Sequence, residues 1–126
     1  MTTVLDASAL LALLHQEPGA EQVAAALDQA LISAVNWAEV IQKAASREVR
    51  LAGLREDLAA AGLGFEPFTT AQAETAGRLW AETRQLGFSL GDRACLALAM
   101  ERAAQVLTAD REWSRLELGL EIRQIR

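Results

Sequence analysis

Residues 3–11 read TVLDASALL, a short apolar stretch suited to a buried strand, then Asp6, then an apolar run with helical character that continues to Leu14. A strand that ends in an acid and passes straight into a helix is the opening of a strand–helix–strand unit, whose strands lie parallel. The same transition recurs along the chain. LISAVNWAEV (31–40) carries Glu39, GFSLGDRACLALA (87–99) carries Asp92, and VLTADREW (106–113) carries Asp110. Strand-to-helix junctions of a parallel sheet open on one edge, so acids far apart in sequence are brought to one place. The pattern therefore predicts a pocket built from four carboxylates.

Such a pocket is unfavourable when empty, because two like charges about 4 Å apart repel by about 4 kcal/mol at an effective dielectric of 20. Protonation would relieve one or two of the groups. A hard divalent cation relieves all four, and Mg²⁺ or Mn²⁺ takes oxygen ligands of this kind. The residues thus point to a metal site before they point to any reaction.

Outward from the junctions, strands and helices alternate. After the first helix, Pro18 and Gly19 form a break, a second helix covers about 20–29, and residues 30–32 form strand two. A helix over about 35–48 carries Trp37, Val40, Ile41 and Ala44 on one face, with Asn36 and Glu39 in an N-cap to N3 relation. A helix at 54–61 ends at Gly62 and Gly64, residues 65–68 form a strand, and Thr70 caps a long helix to about 85. Ser89-Leu-Gly-Asp92 has the form of a capping box and opens a nearly all-apolar helix over 90–102. A strand at 105–108, a helical turn at 111–115 and an edge strand at 121–125 complete the chain. The expected fold is α/β: a three-layer α/β/α sandwich around a central, mainly parallel sheet, with residues 1–126 forming a single domain.

Composition narrows the setting. A chain of 126 residues supports one core, and its 52% hydrophobic content is rich in Ala, which favours close-packed helices and leaves self-association plausible. Cys95 is the sole cysteine, so no internal disulfide forms, and a small buried apolar role fits it best. Asp6 interrupts the apolar start, no basic segment precedes it, and residues 7–14 are too short to span a bilayer. A cytoplasmic protein without a membrane anchor is expected. The net charge of −5 argues against a broad basic face for nucleic acid, although setting aside the four acids leaves only −1. A polyanion would then be held locally, by arginines and bound ions.

Each acid has an ordinary alternative, since carboxylates near helix N-termini are favoured by capping and by the helix dipole. The joint pattern is what favours a site. Other chemistries fall away: His15 is the only histidine, placed like a helix C-cap, and Lys43 is the only lysine, with no P-loop around it. No nucleophile elbow or Cys–His arrangement occurs. Carboxylates are left to carry the chemistry.

The four blocks, in this order and over nearly the whole chain, resemble the PIN-domain ribonucleases, and most closely their VapC-type toxins of bacterial and archaeal toxin–antitoxin pairs. The likeness implies the α/β/α sandwich and a metal-dependent endoribonuclease in which one or two Mg²⁺ or Mn²⁺ ions activate water and leave a 5′-phosphate. It implies Asp6 and Asp92 as direct ligands, Glu39 as ligand or water-orienting group, and Asp110 as a ligand through water. Ser8 and Thr108 would hydrogen-bond the ligands, against simple capping. Arg93, Arg111, Arg47 and Arg50 are candidate contacts to RNA phosphates, against solvated or structural roles, and Trp113 stacks a base or packs in the core. The family also implies a homodimer and a cognate antitoxin, a small DNA-binding protein that plugs the acidic groove and supplies any contact with operator DNA. The acidic net charge departs from what an RNA binder leads one to expect.

Three alternatives share these residues. One is a PIN-like nuclease of RNA processing without an antitoxin. Another is a phosphohydrolase of small phosphate esters, disfavoured by the lack of an Asp-x-Asp pair at Asp6 and of a catalytic lysine. The third is a binding module with a structural metal.

Overall fold

The computed structural model describes residues 2–126. Five parallel strands, β1 (Thr3–Leu5), β2 (Ala30–Ser33), β3 (Gly64–Glu66), β4 (Gln105–Thr108) and β5 (Ile122–Gln124), lie in the order β3-β2-β1-β4-β5. Sequence period two divides their side chains between two faces. Leu5, Ile32 and Leu107 join Leu10, Val23 and Val40 in one core cluster, while Val4, Val106, Leu31 and Ile122 turn the other way onto Leu96, Leu98 and Trp113. Both faces are covered, as an all-parallel sheet requires.

Helices α1 (Ala7–Leu14), α2 (Ala20–Ala26) and α3 (Ala34–Ser46) follow β1 and β2, and α4 (Leu54–Ala60) precedes β3. The turn into α2 needs Gly19, whose φ is +96° and where a Cβ would lie 2.6 Å from the carbonyl of Ile125. On the opposite face, α7 (Leu90–Arg102) packs against α5 (Thr70–Arg78) and α3, with Ala94 to Ala99 all buried. Alanines at 94, 97 and 99 let this helix lie close to the sheet.

Several boundaries differ from the sequence reading for local reasons. The long helix expected from Thr70 is capped by Thr69, whose hydroxyl accepts from the Gln72 amide at 3.1 Å. It breaks after Arg78 into α6 (Trp80–Thr83) and a 3₁₀ turn (Arg84–Leu86). There the Leu79 carbonyl accepts from both the Thr83 amide, at 3.1 Å, and the buried Thr83 hydroxyl, at 2.8 Å. Likewise β3 ends at Glu66 because Pro67 has no amide to donate. Ser33, not Asn36, caps α3: its Oγ accepts from the Val35 amide. The second helix tightens at its end into a 3₁₀ turn over Leu27–Gln29.

Leu96 is fully buried between α7 and the sheet. Leu96→Ala should therefore lower unfolding free energy by about 2–5 kcal/mol, measured by urea denaturation with an unchanged m-value.

Candidate functional site

Parallel pairing of β1 with β4 sets Leu5 beside Leu107, so the chain leaves both strands side by side at their C-terminal edge. Asp6 is the first residue beyond β1 and caps α1, its Oδ1 accepting from the Ala9 amide and the Ser8 hydroxyl, each at 2.8 Å. The Thr108 hydroxyl, at the end of β4, donates to Asp6 Oδ2 at 2.5 Å. Ser8 Oγ in turn accepts from the Ala109 amide at 2.9 Å. Two hydroxyls thus clamp one carboxylate across the two central strands.

Asp6 is only 3% exposed. Its burial raises the pKa from 3.8 to about 6; the hydrogen bonds from Thr108, Ala9 and Ser8 oppose the rise, and the charge of Asp92 adds to it. Asp92 stands half-buried at the start of α7 in a reciprocal cap, with the Ser89 amide donating to its Oδ2 at 2.9 Å and its own amide donating to Ser89 Oγ at 3.1 Å. Its pKa is also raised, chiefly by burial, with Asp110 pushing it up and Lys43 pulling it down. Asp110 is exposed at the rim, where its Oδ1 accepts from the Glu112 amide at 2.9 Å and its amide donates to Thr108 Oγ1 at 3.0 Å.

Glu39 reaches the same place from α3. The buried Asn36 amide group donates to Glu39 Oε1 at 3.2 Å and to the carbonyl of Gly91 at 2.9 Å, which ties α3 to the first turn of α7. A Cβ at Gly91 would collide with the Glu39 carboxylate, 2.9 Å from its Cδ. Asn36 is thus a bridge between helices and not the cap that the sequence reading made it. Beneath the cluster lies Cys95, wholly buried, its thiol pushed well up by desolvation and then by Asp6, Asp92 and Glu39. The three acids therefore act on one point from different elements.

The donor set suits a hard cation: every candidate ligand is a carboxylate oxygen. In each acid one oxygen is fixed by the chain while the other is less committed. Asp92 Oδ1, Glu39 Oε2 and Asp110 Oδ2 accept no hydrogen bond among the described residues, and Asp6 Oδ2 accepts one. No three of them stand together among the described residues as a closed metal cage. Asp92 and Asp110 are each held by a capping hydrogen bond through one oxygen.

The remaining candidates take different places. Arg93 is committed to α5, donating to the Ala76 carbonyl at 2.9 Å. Arg111 is exposed on the 3₁₀ turn beside Asp110, Arg47 caps the C-terminus of α3, and Arg50 lies on the exposed loop beyond it. Trp113 is buried against Phe88, with ring centroids 5.1 Å apart, and belongs to the core. Sequence reasoning missed the Asn36–Gly91 bridge and the approach of Lys43 to Asp92. The spacing 36, 39, 43 along one helical face was the available signal.

Residues 3–118 match the family model described as PIN domain. Among solved structures, the chain is similar to a toxin–antitoxin complex from Klebsiella pneumoniae (TM-score 0.74, 19% identity, covering 99% of this chain and 98% of that one). It also resembles DNA-bound VapBC from Salmonella typhimurium (0.68, 22%, 100% and 99%). A third likeness is to VapC20 of Mycobacterium tuberculosis, described as a toxin that cleaves the sarcin–ricin loop (0.69, 16%, 90% and 93%). At these identities the likeness establishes a shared fold. No curated protein gives a significant match.

Two outcomes follow from the geometry. In chelator, the unfolded chain ionises Asp6 near 3.8 and the folded chain near 6, so between these values the folded state binds more protons and loses stability as pH rises. The loss reaches about 3 kcal/mol above pH 6, and Asp6→Asn should remove it, seen as a flatter pH profile in urea denaturation. Gly91→Ala should leave the melting temperature equal or higher, because Ala favours the helix by about 1 kcal/mol. The same change should displace Glu39 and weaken Mn²⁺ binding measured by calorimetry; unaltered Mn²⁺ affinity would show that Glu39 has no part in it.

Proposed function

The chain belongs to the PIN domain family, and from that membership and the acidic cluster we propose that it is a metal-dependent endoribonuclease acting as the toxin of a toxin–antitoxin pair. The observation that carries this reading is Asp6, a carboxylate buried by the fold, clamped by two hydroxyls and near enough to Asp92 to feel its charge, with Glu39 acting beside them on Cys95 and Asp110 on Asp92. Such an arrangement is destabilising unless a cation completes it. Toxin–antitoxin complexes among the structural neighbours support the biological setting.

In this proposal Asp6, Asp92 and Glu39 hold Mg²⁺ or Mn²⁺, with Asp110 acting through water. When bound, the ion supplies an acidified water for in-line attack on phosphorus and neutralises charge on the departing 3′ oxygen, leaving a 5′-phosphate. The chain's own residues set the geometry. Thr108 and Ser8 fix the plane of the Asp6 carboxylate, Asn36 fixes that of Glu39, and the Ser89 cap holds Asp92 at the helix start. Asp110 stands exposed at the rim, its Oδ1 held by the Glu112 amide. The buried Cys95 thiol, its pKa raised by burial and by the acids, stays neutral beneath them.

An antitoxin with a basic segment would complement the same acids, and any operator DNA would be contacted through that partner. A homodimer belongs to the same proposal, and the exposed Trp80, Leu90 and Met100 are the side chains at which to test it. No helix among the described residues is long and apolar enough to cross a membrane, which fits a cytoplasmic toxin.

Purified protein free of partner should cut RNA in Mn²⁺ or Mg²⁺ but not in chelator, leaving 5′-phosphate ends. Asp92→Asn, which keeps an oxygen for the Ser89 amide, should reduce cutting at least about 100-fold while remaining folded. If folded, metal-loaded protein cleaves no pool of tRNA, rRNA or mRNA, the ribonuclease reading is wrong.

A further inference from the structure

Beyond the acids, a cleft of about 460 Å³ opens beside Ser8 and runs between α1 and α3, lined by His15, Glu17, Lys43, Arg47 and Arg126 among others. Ser8 belongs to both regions, since its hydroxyl donates to Asp6. We propose that this cleft is a phosphate-binding subsite, edged by Lys43, Arg47 and Arg126, that holds the backbone of the RNA strand leading away from the acids. The assignment rests on the nuclease reading for its direction, and on charge and geometry for its chemistry.

Helix α3 supplies the main line of the argument. Glu39, Lys43 and Arg47 are spaced four residues apart and so share one face, with the acid at the reaction end and the cations farther out. Eight residues at a rise of 1.5 Å span about 12 Å. That accommodates about three phosphates at the roughly 3.4 Å axial spacing of a stacked strand. Lys43 stands where the two regions meet, near enough to Asp92 to act on its charge.

The far end carries two guanidinium groups spaced by one carboxylate. Arg47 Nη1 and Arg126 Nη1 each lie 3.4 Å from a different oxygen of Glu17. Their side chains are 61% and 35% exposed, so these ion pairs are weak and exchangeable. Arg47 also approaches His15 Nδ1 at 3.4 Å, again through Nη1, and Arg126 Nη1 donates to the Pro18 carbonyl at 3.0 Å. In both arginines Nε and Nη2 take no partner among the described residues. Each keeps a fork of donors matched to phosphate oxygens. Three cations against one carboxylate give the cleft a positive balance in a chain whose net charge is −5. A polyanion threading toward the acids would meet favourable charge here.

The test measures binding apart from cleavage. A fluorescein-labelled 12-nucleotide oligouridylate is titrated with full-length protein in chelator, by anisotropy, across a series of salt concentrations. A Lys43→Ala/Arg47→Ala variant should bind at least about tenfold more weakly, and its salt slope should fall by about 1.4, or 0.7 per lost single-strand phosphate contact. An Arg55→Ala/Arg78→Ala control, whose residues do not line the cleft, should match wild type. In Mn²⁺ the cleft variant should also cut a long RNA more slowly than wild type. Unchanged affinity and slope in a cleft variant of normal melting temperature would overturn the subsite. So would displacement of the RNA by a polyaspartate peptide at equal charge concentration, which would assign the cleft to an acidic protein segment. Cleft-dependent binding by a protein that cuts nothing in Mn²⁺ would keep the phosphate subsite and remove the nuclease reading.

Discussion

The hydrogen bond from Thr108 to Asp6 joins the ends of the two central strands, and the rest of the site is arranged around it. Thr108 is the last residue of β4 and Asp6 the first beyond β1, so the contact exists only when these strands are in register. Ser8 repeats the connection from α1, donating to the carboxylate and accepting from Ala109. An ionised carboxylate with no such donors would be too costly to bury at a sheet edge. With them it is tolerated but remains strained electrostatically, and that residual strain is what a cation would relieve.

Around this point the chain uses helix starts twice over. Asp6 and Asp110 each accept from an amide of the helical turn they open, and Asp92, three residues into the capping box of α7, accepts from the Ser89 amide. Capping and cation binding are therefore compatible roles for one side chain, because a carboxylate has two oxygens and capping uses mainly one. Glu39 differs, since it opens no helix. Its position depends on Asn36 and on the absence of a side chain at Gly91, a tertiary arrangement between α3 and α7.

This difference explains how much the sequence disclosed. Asp6 follows from local pattern, because a strand, an acid and an apolar helix are contiguous there. Asp110 follows β4 but opens only a 3₁₀ turn. Asp92, read as another strand-to-helix junction, instead follows a 3₁₀ turn (Arg84–Leu86) with no strand directly before it, so its place at the site comes from α7. Alternation of strands and helices likewise sufficed for the parallel sheet. Asn36 was open to misreading, because an Asn three residues before a Glu is the spacing of a cap and also of two side chains on one helical face. Lys43 carried little meaning as the sole lysine until α1 and α3 were seen to form two walls of one cleft. What local pattern could not supply was, in each case, a contact between elements.

Cys95 gives the molecule an internal gauge. It is the only thiol, it is inaccessible to solvent, and it lies one turn along α7 from Asp92, beneath the acids. An alkylating reagent can reach it only in molecules where α7 has parted from the sheet, so the alkylation rate counts those openings. Any ligand that draws the acids together must suppress the openings by the factor through which it stabilises the closed form. Occupancy of the cluster can thus be followed in the unlabelled, wild-type chain, through the chemistry of a residue that touches neither the ligand nor the solvent.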